Sequence, residues 1–265
     1  MTRRISKSFF SPSRTDGKRG GFRVGPWVMV VITLFSTGAA SPSDIDTLVH
    51  HLDIVAFGNE YTGEKFPRVR KWKNPIRIGV QGIAPAYLDE DIRQHTGQLG
   101  RLSGHPIDLV YSENMRKSGQ VASDFKTSQV NVIVFFTARD QIHQKILQYF
   151  DNKKEWVDQM MQSSTCFAKF FKKKDEIKAA IVVIPSHHSR EIVRACVVEE
   201  LTQIMGLPND SDLVTESIFN DKSRFNELTP QDQILLRTLY DGRIQIGMPR
   251  DAALALARTI LEGNP

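Results

Sequence analysis

The chain has 265 residues, with 40% hydrophobic and 25% charged side chains, proportions that exclude an intrinsically disordered chain and a polytopic membrane protein. Its net charge of +5 does not argue for nucleic-acid binding. Arg3, Arg4, Lys7, Arg14, Lys18, Arg19 and Arg23 crowd the N-terminus, and the remainder is near neutral without interleaved basic and aromatic residues.

The basic segment runs into Trp27, Val28, Met29, Val30, Val31, Ile32, Leu34 and Phe35 and then into small and polar residues from Ser36 to Ser41, the order of a secretory signal. Thr37 with Ala39, and Gly38 with Ala40, place small residues where cleavage after Ala39 or Ala40 needs them. An uncleaved anchor is the alternative, although about 17 residues interrupted by Gly25, Pro26 and Thr33 barely span a ~30 Å hydrocarbon layer. Arg3 and Arg4 do not make a twin-arginine signal, because the apolar region starts too far downstream. Residues 1–40 are therefore expected to be a signal peptide or N-terminal signal anchor, and residues 41–265 a single domain. The protein is expected to be exported, to the periplasm or outside the cell, or held in the inner membrane if the segment is retained.

The exported part opens with a helical spacing at Ile45, Leu48, Val49, Leu52, Ile54 and Val55, capped by Ser43 or Asp44. A charged surface segment, Glu60–Asn74, leads to an alternating strand at Ile76, Ile78 and Val80. A helix is expected over Leu88–Leu102, strands over Ile107–Tyr111 and Val130–Phe136, a helix over Arg139–Phe150 and an apolar strand over Ala179–Ile184 ending at Pro185. This alternation is an α/β order. Phe167–Lys178, with five lysines around Phe170 and Phe171, reads as a solvated hairpin edge or loop whose charge discourages edge pairing, with contact to lipid headgroups or an acidic polymer as the other reading. Cys166 and Cys196 are the two cysteines. In an oxidising compartment a disulfide is expected; two buried thiols are the alternative, because a bond needs Cα atoms within about 7 Å.

Ser189–Met205 reads as a helix with Val197, Val198, Leu201, Ile204 and Met205 on a core side and Cys196, Glu199, Glu200 and Gln203 opposite. Gly206 allows a left-handed helix end before Leu207, Pro208, Asn209 and Asp210. By spacing alone the polar stripe is an ordinary solvated face. The histidines do not make a ligand motif: His187 and His188 read as junction residues, His50 and His51 diverge on a helix, and His95, His105 and His143 are isolated.

The run EELTQIMGLPND, followed by SIFND at Ser217–Asp221 and LTPQDQILLRTLYD at Leu228–Asp241, resembles the metzincin arrangement of zinc helix, glycine turn and floor. Aligning the glycine with Gly206 places Glu199 and Gln203 at helical ligand positions, Glu200 at the general-base position and Asn209 at the third ligand position. Ser217, Ile218 and Phe219 fall at the turn beneath the metal, with Phe219 in the methionine's place. FGNEY at Phe57–Tyr61, KW before PIRIGV, the cysteine before EELTQ, and Gly247–Met248 make the chain similar, over Asp44–Leu261, to the bacterial family called domain of unknown function 2927. Its zincin relationship implies a mixed sheet, an active-site helix and a C-terminal helical part.

That resemblance implies a degenerate site, since no aligned ligand position holds a histidine. One acidic side chain and two amides favour a weakly held hard divalent cation over zinc, and tight zinc is not expected. Glu200 keeps the base position without a Lewis acid to work beside. A non-catalytic domain that binds an envelope peptide, protein or polymer beside Glu199, Glu200, Gln203, Asn209 and Asp210 is the leading expectation. A metal-dependent hydrolase or peptidase with unusual oxygen ligands is the alternative. Glu199, Glu200, Gln203 and Asn209 are expected to converge on one cleft floored by Phe219, and Arg237 to pair with Asp210 or Asp221. N-terminal sequencing of the exported protein is expected to start at Ala40 or Ser41; a start at Met1 selects the anchor.

Overall fold

The computed structural model describes residues 42–58, 63, 65–149, 164–220, 222 and 225–263. The signal segment, Asn59–Tyr61 of the FGNEY motif and Asp221 lie outside the described residues. The β-branched runs become strands β1 (Lys71–Trp72), β2 (Ile76–Gln81), β3 (Ile107–Tyr111), β4 (Val132–Thr137), β5 (Phe167–Lys173) and β6 (Glu176–Pro185). The helical spacings become α1 (Pro42–Phe57), α2 (Ala86–Ser103), α3 (Glu113–Lys117), α4 (Arg139–Tyr149), α5 (Arg190–Gln203), α6 (Pro230–Tyr240) and α7 (Arg250–Gly263). Among the described residues no helix is long and apolar enough to cross a membrane.

The six strands form one mixed sheet. β2 lies parallel between β3 and β4, and β4 runs parallel to β6 through Val132↔Ala180 to Thr137↔Pro185. β5 pairs antiparallel with β6 from Phe167↔Val183 to Lys173↔Glu176. β1 is also parallel to β6, at Glu176 and Ile177. A strand has two edges, so β1 shares with β4 the edge of β6 that β5 leaves open. The lysine-rich hairpin thus pairs as a full strand: its charges project from the faces and do not prevent β5 from bonding to β6.

Period-2 alternation turns Ile76, Ile78, Val80, Val132, Val134 and Val182 to one face, where they share a core with Leu52 and Val55 of α1, Leu88, Ile92 and Leu99 of α2, and Val193, Val197 and Leu201 of α5. The α1–α7 contact carries a two-pronged ion pair: Arg250 donates through Nε and Nη2 to the two Asp53 oxygens at 2.5 and 2.6 Å, and Lys65 adds a bond at 2.8 Å. Burial would raise the Asp53 pKa, but the bonds from Arg250 and Lys65 outweigh it and hold the group below its usual value. The strand expected from Val130 starts two residues later. Asn131 instead closes the sheet end, its Nδ2 donating to the Pro75 carbonyl and its Oδ1 accepting from the Arg77 amide.

α2 meets α5 through a buried polar contact: His95 Nε2 lies 3.0 Å from Thr202 Oγ1, and Thr202 donates its hydroxyl proton to the Val198 carbonyl. With that proton committed, His95 must donate from Nε2. Burial pushes the His95 pKa down to about 3, a contact with the Val198 backbone raises it, and the Arg194 charge lowers it. Above pH 6.5 the ring is neutral folded and unfolded, so this group adds no pH dependence. As pH falls from 6.5 towards 3 the unfolded chain takes the proton and the folded chain does not, and stability declines by up to about 1.4 kcal/mol per pH unit. Urea unfolding should therefore show about 2 kcal/mol more loss between pH 7 and pH 5 in the native chain than in His95→Gln; equal slopes would mean His95 is protonated in the fold.

Candidate functional site

α5 begins where Ser189 accepts a hydrogen bond from the Ile192 amide, a side-chain cap. Its apolar residues pack on the sheet, yet the opposite stripe is not solvated: Cys196, Glu200 and Gln203 are buried and Glu199 is half-buried. Two chain segments cover that stripe. On one side Cys166, just before β5, meets Cys196 in disulfide geometry, with Cα atoms 5.8 Å apart across 30 residues of sequence. On the other side the loop after α5 folds back over the helix.

The loop reversal depends on Gly206. Its φ is +110° and a Cβ there would stand 2.3 Å from the Arg70 carbonyl oxygen, so a side chain is excluded by conformation and by space. The carbonyls of Thr202, Gln203, Ile204 and Met205 each find a donor. Thr202 accepts from the Met205 amide and Gln203 from the Gly206 and Leu207 amides, while Ile204 accepts from the Trp72 indole at 2.7 Å and Met205 from the Tyr240 hydroxyl at 2.8 Å. Burial raises the Tyr240 phenol pKa, against a lowering contact with the Trp72 backbone, so the hydroxyl keeps its proton to donate. Beside it, burial brings Lys71 down to about 8, partly opposed by Asp241. The KW motif and Tyr240 are therefore the far anchor of the helix.

Between α5 and the returning loop lies a cleft of about 450 Å³. Glu199, Glu200, Gln203 and Asp210 line it together, with Gln203 Nε2 donating to Asp210 at 2.9 Å. Asn209 does not join them: its amide donates to the Ile54 carbonyl of α1 at 3.1 Å, because the glycine reversal carries it against the α1 end, where Gly58 leaves room. Phe219 does not floor the cleft either. It is fully buried in the core, and Ile218 is the residue of that turn which reaches the cleft wall. Glu191, Ile192 and Ala195 also line the cleft, as do Asn220, Phe225 and Asn226. Their signal was in the sequence: Glu191, Ala195, Glu199 and Gln203 succeed one another at intervals of four, one continuous helical stripe.

Asp232 holds the turn. It is fully buried, accepts from the Ser217 hydroxyl on one oxygen and from the Ile218 and Thr229 amides on the other, and completes a reciprocal cap with Thr229 at the start of α6. Ser217 Oγ in turn accepts from the Phe219 amide. Arg237, expected to pair with Asp210 or Asp221, is exposed on the outer side of α6. Arg194 instead ties the wall together, linking Asp91 of α2 to Glu227 ahead of α6, both at 3.0 Å.

These donors do not fit zinc. Of the three aligned ligand positions, Asn209 faces α1, and Gln203 offers an amide engaged with Asp210. Among the described residues no three His, Cys, Asp or Glu side chains gather as a metal site. Asp232→Ala should cost about 3–5 kcal/mol in urea unfolding, through the lost cap and the buried donors left unmatched, whereas Arg237→Ala should stay within about 0.5 kcal/mol. Similar losses at the two positions would refute the assignment of the turn to Asp232.

Comparison with curated proteins and with solved structures finds no match. The model of a family described as a protein of unknown function, DUF2927, matches residues 49–259. The match takes in both the site helix and the elements that anchor its ends, and the chain belongs to that family.

Proposed function

We propose that this is an exported envelope protein that uses the cleft beside α5, a degenerate metzincin-like site, to hold a cationic segment of a peptide, a protein or an envelope polymer without catalysis. The observation that carries the reading is the composition of the wall. Glu191, Glu199, Glu200 and Asp210 line the cleft, and none of its described lining residues is basic. Ile192, Ile218 and Phe225 add apolar surface on which the stem of a lysine or arginine can lie. The mixed sheet, a helix bearing Glu199 and Glu200, and the C-terminal helices α6 and α7 agree with what the zincin resemblance implies. A Cys166–Cys196 disulfide suits an oxidising compartment, in keeping with the signal-like segment.

Glu200 retains the base position, but the amides around it supply neither a Lewis acid nor a nucleophile. Binding is what the donor set supports. Titration calorimetry with tri-lysine and tri-glutamate peptides should give binding for the cationic peptide alone, falling with added salt and weakened at least about tenfold in the Glu199→Gln/Glu200→Gln double variant. Indifference to peptide charge would remove the proposal. Metal content of protein purified without added metal or chelator tests the hydrolase alternative: stoichiometric metal lost in Glu199→Ala/Gln203→Ala would replace the binding reading.

A further inference from the structure

The outer half of the β5–β6 hairpin, Lys169–Lys178, takes no part in lining the cleft. Its register against β6 passes from Phe171↔Ala179 to Lys172↔Ile177, which leaves Lys178 as an extra residue on β6. This β-bulge changes what the hairpin presents. The extra residue, Lys178, is exposed between buried Ile177 and half-buried Ala179.

The hairpin turn repeats the pattern. Lys174 sits at φ +57°, a left-handed position that hairpin turns fill with Gly, Asn or Asp because a β-carbon is strained there. A lysine occupies it, exposed, with Lys172 and Lys173 as exposed neighbours. Lys73 is exposed one residue beyond Trp72, which pairs with Ile177, and so falls level with Lys178. Asp175 lies 3.8 Å from Lys172 and Glu176 2.5 Å from Lys178, but five lysines against these two acids over residues 169–178 leave the patch strongly positive. Within it stands an exposed aromatic ring: Phe171 is 38% exposed, with Lys169 Nζ 5.8 Å from its centroid.

We propose that this hairpin docks the protein on an anionic phospholipid surface, with the lysines at the phosphates and Phe171 in the headgroup region. Charge complementarity selects an anionic partner. The ring selects a bilayer over a soluble acidic polymer, because only a bilayer offers an apolar layer directly beneath its charges. The left-handed lysine points the same way, since it keeps a lysine at a turn position where backbone preference favours another residue.

The test uses the chain from Ser41 to Pro265, in which the buried apolar side chains of the described residues run from Ile45 to Ile260, sedimented with vesicles of phosphatidylcholine or of phosphatidylcholine with phosphatidylglycerol. Binding to the anionic vesicles alone, weakened by salt, is expected. The Lys172→Ser/Lys173→Ser/Lys174→Gly variant should lose roughly 100-fold, at about fivefold per lysine. Phe171→Ser should weaken binding with the charge unchanged. Lys174→Gly alone should raise the thermal midpoint while weakening binding about fivefold, a pair of opposite shifts that a misfolded variant does not produce. Equal binding to both vesicle types, or none to the anionic ones, overturns the proposal. Binding to soluble polyglutamate that is as strong in Phe171→Ser as in the native chain overturns it in favour of an acidic polymer. Glu199→Gln/Glu200→Gln should leave vesicle binding unchanged, so the outcome does not depend on the cleft.

Discussion

A helix that ends inside a protein leaves carbonyl groups that must find donors, and the end of α5 is buried from Leu201 to Leu207. The last turn can supply partners only for its own early members. Ile204 and Met205 depend on side chains brought from elsewhere, the Trp72 indole from β1 and the Tyr240 hydroxyl from the end of α6. Those two bonds fix where the sheet, the helix and the C-terminal part stand relative to one another. They also fix the path of Gly206, which passes so close to the Arg70 carbonyl that only a residue without a side chain fits. Everything on the cleft side of α5 inherits its position from this anchoring.

The cleft walls are then held by cross-links between elements. Cys166 joins the start of β5 to the middle of α5, and Asp232 stitches the Ser217–Phe219 turn to the first turn of α6. Arg194 spans α2 and the approach to α6 through Asp91 and Glu227. Each contact joins segments distant in sequence, so the acidic lining is presented by a frame with little local freedom. Preorganisation of this kind lowers the ordering cost of binding. On the proposed reading it suits a receptor for a charged segment.

Much of this was legible in the residues. Period-2 and period-3.6 patterns placed the strands at Ile76, Ile107 and Ala179 and the helices through Leu52, Leu99 and Val197, because burial on one face imposes those repeats. Ser189, Thr229 with Pro230 and Asp232, and Gly206 marked element ends, because capping is local chemistry. The convergence of Glu199, Glu200 and Gln203 followed from one-turn spacing. The seven-residue length of β5 was not legible, since its segment read as a hairpin edge or a loop and only β6 beside it supplies the ladder that decides between them.

What the sequence determined by itself was therefore which residues share a face and where each element stops, both set by neighbours a few positions away. Where the chain goes after a stop was decided by the tertiary structure. Asn209 turns to α1 because a carbonyl 155 positions earlier in the chain, Ile54, accepts its amide. Phe219 enters the core and Ile218 the cleft wall because Asp232 takes the Ile218 amide. Arg237 stays in solvent because the helix packs through Leu235, Leu236 and Leu239, which leaves position 237 on its outer side. The direction of a reversal depends on which distant donor or acceptor is satisfied there, and that pairing exists only once the sheet and helices have assembled.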